Sequence, residues 1–191
     1  MRCIVCHRYS FPIVCRKCQQ TLLSPTLSTR RLTNGFKVYS FYRYKEIDIL
    51  LKTKHSHIGA AVYTILAENA LGWFKREFAF ESLVGVVPVD DTTKSGYSHT
   101  AILAKALRTE TLKPMFGALR AKNDVNYSAK TLKYRQQHPR GFEYAKRGVK
   151  DLILVDDIIT TGTTLNEARK VVEGSGATPL FALTLADARE L

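Results

Sequence analysis

Three short apolar runs stand out in the chain from residue 83 onward. They occupy residues 83–89 (LVGVVPV), 152–155 (LILV) and 179–185 (PLFALTL). A continuous apolar run of this length is typical of a strand that is buried on both faces of a parallel sheet. Polar loops and helical patterns follow the first two runs, and strands that alternate with amphipathic helices indicate an α/β fold with a parallel sheet.

The residues before these runs predict other elements. The stretch 35–44 (GFKVYSFYRY) has the β-branched and aromatic content of a strand or hairpin. From Glu46 to Phe74, apolar residues recur at three- and four-residue spacing, which predicts two helices. The stretch 24–34 (SPTLSTRRLTN) is rich in Ser, Thr and Pro and predicts a linker. We therefore expect a small module at 1–22, a linker at 23–35 and the α/β domain at 36–191.

The composition and the first residues of the chain indicate where in the cell the protein is expected. Of the 191 residues, 45% are hydrophobic and 24% are charged, which is typical of a globular protein with a sizeable core. No apolar run reaches the length of about 18 residues that a membrane-spanning helix needs. The first ten residues, MRCIVCHRYS, lack the apolar centre of a signal peptide. We therefore expect a cytoplasmic protein.

The four cysteines form two Cys-x-x-Cys turns near the start of the chain. Each turn directs two sulfurs to one point, and together they supply the four thiolates that tetrahedral Zn²⁺ accepts. A pair of disulfides is one alternative, which the absence of an export signal disfavours because the cytoplasm keeps thiols reduced. A lone redox Cys-x-x-Cys is another alternative, although it would not need a second copy. We expect a structural zinc site whose metal supplies the folding energy of this short segment. Its ligands are Cys3, Cys6, Cys15 and Cys18.

The stretch 152–165 (LILVDDIITTGTTL) places two adjacent carboxylates, Asp156 and Asp157, at the end of a predicted buried strand. Ligands of open parallel sheets bind beyond the carboxyl ends of the strands, where helix N-termini also point. Adjacent residues of an extended chain project to opposite sides, so one acid can face a ligand while the other supports it. Their oxygens can accept hydrogen bonds from two neighbouring hydroxyls, as on a ribose.

The loop that follows has the properties of a phosphate site. Gly162 allows a positive φ and a close approach of the backbone, while neighbouring N–H groups and threonine hydroxyls can donate hydrogen bonds. A helix that begins near Thr163 adds its partial positive charge, and Thr164-x-x-Glu167 predicts a capping box at its start. Carboxylates beside a phosphate loop predict a site for a sugar phosphate.

These residues resemble a known family. The segment LILVDDIITTGTT matches, at all thirteen positions, the phosphoribosyl-pyrophosphate (PRPP) signature of type I phosphoribosyltransferases. The resemblance implies that Asp156 and Asp157 hold the ribose 2′- and 3′-hydroxyls and that Mg²⁺ binds largely through the ligand. It also implies a pyrophosphate loop at Val89 and Asp90. The implied 5′-phosphate ligands are Thr160, Thr161, Gly162, Thr163 and Thr164.

An N-terminal four-cysteine knuckle on this fold resembles the ComF-type competence proteins, which take part in DNA uptake during natural transformation. The resemblance covers nearly the whole chain and includes Val87-Pro88 and the PRPP signature. The chain departs from the family where an Arg-Gly-Phe-Asn-Gln stretch is usual, because residues 95–99 are SGYSH. The implied role of these loops is to hold pyrophosphate and an acceptor base, so the resemblance leaves catalytic turnover open.

The chain is strongly basic, with 29 Lys and Arg against 17 Asp and Glu, and a net charge of +12. The window 113–150 holds ten basic and two acidic residues, and aromatic residues lie among them. Cations interleaved with rings are typical of single-stranded DNA binding, although the same window aligns with the mobile loop that closes over PRPP in phosphoribosyltransferases. The candidate DNA contacts are Lys94, Lys130, Lys133, Tyr134, Arg135 and Arg140.

Three functions fit these observations. The first is a cytoplasmic competence protein that handles incoming single-stranded DNA and binds PRPP with Mg²⁺. Its other partners would be DNA-uptake or helicase proteins, and attachment to the inner face of the membrane is compatible with this role. The second is an active phosphoribosyltransferase of nucleotide salvage or modification. The third is a zinc-knuckle interaction module on an enzyme fold that no longer turns over.

Overall fold

The computed structural model of the chain describes residues 1–32, 35–89, 96–123, 134, 137, 139–145 and 148–189. Helices and strands are mixed along the described part of the chain. In sequence they are α1 (Arg16–Leu22), β1 (Ser28–Arg31), β2 (Lys37–Arg43), α2 (Tyr44–Leu51), a 3₁₀ turn (Lys52–His55), α3 (Gly59–Glu77), β3 (Val84–Pro88), α4 (His99–Ala106), β4 (Leu112–Pro114), β5 (Leu119–Ala121), β6 (Phe142–Tyr144), β7 (Asp151–Ile159), α5 (Thr163–Gly174) and β8 (Thr178–Asp187).

The central sheet has the strand order β1-β2-β8-β7-β3-β4. All neighbouring strands in it are parallel except the edge pair β1–β2, which is antiparallel. Strands β5 and β6 form a separate antiparallel pair. The predicted α/β fold, with a mostly parallel sheet flanked by helices, is confirmed. The three apolar runs form β3, β7 and β8, as the sequence predicts.

Strand β7 is longer than its apolar run. It continues through Ile159 because β8 offers partners along its whole length, with Asp156 opposite Thr184 and Ile159 opposite Asp187. The two acids therefore lie inside the strand rather than after it. Consequently their side chains follow the two-residue alternation of the pleat.

Alternate residues of β7 face two different hydrophobic clusters. Ile153 and Val155 pack with α2, α3 and α4 on one face, whereas Leu152 and Leu154 pack with α5 and the β5–β6 pair on the other. The same alternation directs Asp157 toward α3 and α4. The sheet thus separates the surroundings of the two carboxylates.

Helix α3 buries the apolar residues whose spacing predicted a helix. Val62, Leu66, Ala70 and Phe74 recur every four residues, and each is at most 3% exposed. This spacing places one apolar stripe against the sheet. Burying each large side chain contributes about 1.5–3 kcal/mol. The helix begins at Gly59, at the carboxyl edge of the sheet, and ends near the start of β3.

The sheet has a topological switch point between β3 and β7. The chain continues from β3 to β4 on one side, whereas β7 and β8 fill the opposite side. The helices that follow these two strands lie on opposite faces, α4 in the first cluster and α5 in the second. Such a point opens a crevice beyond the carboxyl ends of the strands, where ligands of open α/β sheets bind.

The N-terminal residues pack against the same core. Cys3, Val14 and Leu23 are almost fully buried in the cluster that contains α2 and α3. The hydroxyl of Tyr42 in β2 donates a hydrogen bond to the carbonyl oxygen of Leu23 at 3.1 Å. In the described part of the chain, none of the helices combines the length and the apolarity that crossing a bilayer requires.

Candidate functional site

The loop 160–164, called here the glycine loop, joins β7 to α5 at the switch point. Gly162 has φ +80°, the left-handed conformation predicted for it, and is the residue that precedes the first helical residue, Thr163. The hydroxyls of Thr161 and Thr163 are hydrogen-bonded at 2.9 Å. Because Gly162 has no side chain, it cannot cap the first-turn N–H groups of α5. Those groups and the helix dipole form an anion-binding end.

The predicted capping box at Thr164 and Glu167 is wrong. The helix begins two residues too early for it, so Thr164 lies within the first turn instead of preceding it. The carboxylate of Glu167 instead accepts the backbone N–H groups of Arg140 at 3.1 Å and Gly141 at 2.7 Å. Glu167 therefore ties the chain before β6 to the helix that follows the glycine loop.

Strand β1 supports the glycine loop from the other side. A guanidinium nitrogen of Arg30 donates to the carbonyl oxygen of Thr160 and lies 3.5 Å from the carboxylate of Asp187. A Cβ placed on Gly162 would lie 2.5 Å from Cδ2 of Leu32, a distance that real Cβ atoms do not show. The loop is therefore closely packed against residues 30–32, and any side chain at position 162 would have to displace Leu32.

Asp157 is buried beneath the crevice and fully engaged. Its Oδ2 lies 3.1 Å from Nζ of Lys54 and 3.7 Å from Nε2 of His99, and it accepts the hydroxyl of Tyr63 at 3.1 Å. Burial alone would raise the pKa of Asp157, but the charges of Lys54 and His99 and the hydrogen bonds outweigh it and lower that pKa. This carboxylate is consequently ionised and fixed in place.

Asp156 has a different environment. It is half-buried, its Oδ1 accepts the N–H of Asp157 at 2.8 Å, and the charges of Arg140 and Lys54 act on it. Burial, followed by the negative charge of Asp157, raises the pKa of Asp156 to about 8. This carboxyl group therefore holds its proton to higher pH than a free aspartate does, and in its protonated form it can donate as well as accept a hydrogen bond.

The turn that carries Lys54 is held firmly. The hydroxyl of Tyr97 donates to the backbone oxygen of Lys54, and a Cβ on Gly59 would overlap that same hydroxyl oxygen. Glycine at position 59 is therefore needed for the start of α3 to approach Tyr97. The Asp157 carboxylate outweighs the effect of burial and raises the pKa of Lys54, which stays charged.

Sequence reasoning did not select Lys54, Tyr63 or Arg30 as site residues. Lys54 and Tyr63 come from segments that precede Asp157 by about a hundred positions, and no local pattern links them to it. The available signal was the break between two helical patterns at a lysine-rich turn before Gly59. That signal indicates a turn, but it does not indicate that a residue of the turn contacts Asp157.

The other predicted site residues are placed as follows. Val89 is buried and donates its N–H to the carbonyl oxygen of Val155 at 2.8 Å, while Asp90 lies outside the described residues. Of the candidate DNA contacts, Tyr134 and Arg140 are described, and both are half-buried. Lys94, Lys130, Lys133 and Arg135 lie outside the described residues.

The four cysteines converge on one point. Their sulfur atoms all lie within 4.8 Å of one another, and Sγ of Cys6 is 3.7 Å from Sγ of Cys15. Four sulfurs about 2.3 Å from a tetrahedral zinc ion would be about 3.8 Å apart. Burial, and then the neighbouring sulfurs, raise the pKa of the Cys18 thiol to about 12, and a metal cation among the sulfurs would offset this by stabilising the thiolate. The cluster can bind a metal ion, and its four sulfurs suit zinc.

No family model and no curated protein sequence matches the chain.

The solved structures that match the chain include phosphoribosyltransferases. A hypoxanthine phosphoribosyltransferase from Staphylococcus aureus is 17% identical over 65% of this chain and 62% of its own, with a TM-score of 0.39. The orotate phosphoribosyltransferase from Aeropyrum pernix is 19% identical over 90% and 80% of the two chains, with a TM-score of 0.40. The adenine phosphoribosyltransferase from Saccharomyces cerevisiae is 18% identical over 89% and 87%, with a TM-score of 0.42.

Proposed function

We propose that the crevice at the switch point binds PRPP with Mg²⁺, and that the chain is a ComF-type competence protein that handles single-stranded DNA in the cytoplasm. The observation that carries the ligand is the position of Asp156, half-buried in β7 shortly before the strand ends at the glycine loop. The carboxyl group that would bind the sugar diol and the backbone N–H groups that would bind the phosphate are thus at the same edge of the sheet.

The 5′-phosphate is assigned to the glycine loop. The first-turn N–H groups of α5 and the hydroxyls of Thr161 and Thr163 can all donate to phosphate oxygens. In the free protein these two hydroxyls bond to each other and the N–H of Thr163 donates to the Thr161 hydroxyl at 3.4 Å, so a phosphate would replace two weak internal bonds with several charge-assisted ones.

The ribose diol is assigned mainly to Asp156. Its raised pKa is the consequence of a half-buried carboxyl beside a second carboxylate, and hydroxyl donors together with a nearby cation favour the ionised form. Mg²⁺ bound through the ligand would supply that cation and neutralise pyrophosphate oxygens. Asp157, held by Lys54, Tyr63 and His99, supports the strand beneath the sugar.

The ligand assignment is tested by isothermal titration calorimetry with PRPP and Mg²⁺. Asp156→Asn is expected to weaken binding by about tenfold to a hundredfold, the effect of removing hydrogen bonds to a charged acceptor. Asp151→Asn, at the amino end of the same strand, is the matched control and is expected to bind like the native chain. Equal heats for the native chain and Asp156→Asn would refute the assignment.

The DNA assignment rests on charge. The window 113–150 carries a net charge of +8 within a chain of net charge +12. We expect the affinity for a labelled single-stranded oligonucleotide to fall steeply between about 50 and 200 mM salt. The triple variant Lys130→Gln, Lys133→Gln, Arg135→Gln should bind more weakly and with a smaller salt slope. A charge-matched control removes three exposed cations elsewhere in the chain, by Lys17→Gln, Lys37→Gln and Lys170→Gln. If both triple variants lost the same affinity for the oligonucleotide, the assignment would be contradicted.

An active phosphoribosyltransferase is the second candidate, and the half-buried side chains of Lys54 and His99 beside Asp157 favour it, because a departing pyrophosphate needs charge stabilisation. In that reaction a nitrogen nucleophile forms a bond to C1′ as the bond from C1′ to the pyrophosphate oxygen breaks. Release of pyrophosphate from PRPP in the presence of single-stranded DNA, compared with its absence, separates this enzyme from a protein that only binds.

The four cysteines are proposed to hold a structural zinc ion, because all four positions are filled by sulfur and none remains for a substrate. Elemental analysis of carefully purified protein should give one equivalent of zinc per chain. A value well below one would contradict the proposal.

A further inference from the structure

We propose that Lys54 makes the crevice selective for a pyrophosphorylated pentose over a simple pentose phosphate, by contacting the pyrophosphate group directly. This inference rests on the function proposed above. It concerns a lysine on the 3₁₀ turn between α2 and α3, far in sequence from the glycine loop and from the segment after β3.

The position of Lys54 is the first argument. Its Nζ lies 3.1 Å from Oδ2 of Asp157, on the face of β7 that packs against α3 and α4. The glycine loop continues into α5, which packs on the opposite face. A pentose bound over β7 with its 5′-phosphate on the glycine loop would direct its C1′ substituent away from α5. That substituent would therefore lie on the side of Lys54 and not on the side of the loop.

The exposure of the cations is the second argument. The side chain of Lys54 is 31% exposed and that of His99 is 24% exposed, whereas the Asp157 side chain between them is only 9% exposed. Asp157 thus pairs with Lys54 and lies 3.7 Å from His99, while part of each of these two side chains stays accessible. An ammonium has three donors, so Lys54 can bond to Asp157 and to a ligand oxygen at the same time.

The rigidity of the turn is the third argument. The Tyr97 hydroxyl holds the backbone oxygen of Lys54, the Thr53 hydroxyl donates to the carbonyl oxygen of Leu50 at 2.7 Å, and Gly59 packs against Tyr97. A cation fixed before the ligand arrives loses less conformational freedom on binding than a mobile surface lysine does. The neighbouring Lys52, by contrast, is exposed and pairs with Asp48 along helix α2.

Two ligands separate this role from a merely structural one. PRPP and ribose 5-phosphate share the pentose and the 5′-phosphate, and only PRPP carries the pyrophosphate. We expect Lys54→Met to weaken PRPP binding by about tenfold to a hundredfold, the effect of removing one hydrogen bond between charged groups. Ribose 5-phosphate binding should change by less than about twofold. Lys54→Arg, which keeps the charge, should retain most of the preference for PRPP.

The control is Lys52→Met, which removes the same chemical group two residues away and should leave both affinities unchanged. Calorimetry with Mg²⁺ measures all four proteins, and circular dichroism confirms that each is folded. Equal weakening of both ligands by Lys54→Met would assign the residue a structural role and overturn the inference, as would no change in either. If the native chain bound neither ligand, the proposed PRPP site itself would fail.

Discussion

Replacing Gly162 by alanine changes two features of the glycine loop at once. The first is the backbone, because φ at this position is +80° and an L-residue there costs about 1–2 kcal/mol. The second is packing, because the added Cβ would lie 2.5 Å from Cδ2 of Leu32. That atom is the end of a half-buried flexible side chain, so it can shift at a cost of about 1 kcal/mol, the low end for overpacking.

The two contributions together predict that Gly162→Ala lowers the free energy of unfolding by about 2–3 kcal/mol. For a chain of this size such a loss corresponds to a Tm lower by about 4–12 °C. Denaturant unfolding followed by circular dichroism measures it. PRPP binding should weaken as well, because the displaced loop no longer directs its N–H groups at one point.

Two other glycines separate the contributions. Gly148 has φ +75° with nothing within 4 Å of an added Cβ, so Gly148→Ala should show the backbone cost alone. Gly174 lies at the end of α5, also in open space, and Gly174→Ala should be neutral or stabilise by up to about 1 kcal/mol. If Gly162→Ala cost no more than Gly148→Ala, the contact with Leu32 would be refuted. If it cost no more than Gly174→Ala, the left-handed turn itself would be refuted.

Three further predictions concern the acids and the cysteines. Tyr63→Phe removes a hydrogen bond to the ionised Asp157 and should destabilise the fold by about 1.5–3 kcal/mol in denaturant unfolding; no change would contradict that bond. Because the pKa of Asp156 is raised from 3.8 to about 8, its contribution to stability is fully present below pH 3.8 and is lost as pH rises from there through about 8, so Asp156→Asn should gain stability relative to the native chain across that range. A parallel pH dependence of the two proteins would contradict the shift. Zinc removal by a chelator should lower Tm, and an unchanged Tm would argue against a structural metal.

The main strands were predictable from the sequence because a strand buried on both faces has an apolar side chain at every position. That requirement produced the runs that became β3, β7 and β8. The left-handed glycine was predictable for a similarly local reason, since the turn from strand to helix needs a positive φ. These features depend on neighbours within a few residues.

The partners of Asp157 and Glu167 could not be predicted in the same way. Lys54 and Tyr63 reach Asp157 only because α3 crosses the sheet with its N-terminus at the carboxyl edge. Glu167 has the spacing of a capping box, but its carboxylate accepts the backbone N–H groups of Arg140 and Gly141, which belong to a distant segment. Hydrophobic periodicity shows which face of an element is buried but contains no information on which polar groups will meet there.

The two adjacent acids therefore differ in what their substitution would reveal. Removing the Asp157 carboxylate would leave the half-buried ammonium of Lys54 without its anion, and because solvent reaches this ammonium the cost should lie below about 3–5 kcal/mol, the cost of breaking a fully buried pair. A loss of ligand binding in such a variant would combine a local change with general destabilisation of the turn and of α3. Within the described residues, Asp156 forms no comparable ion pair, and its carboxyl group accepts the backbone N–H of Asp157. Substitution at position 156 is therefore not expected to destabilise the fold, so a loss of ligand binding there reports recognition, whereas substitution at position 157 measures recognition and folding together.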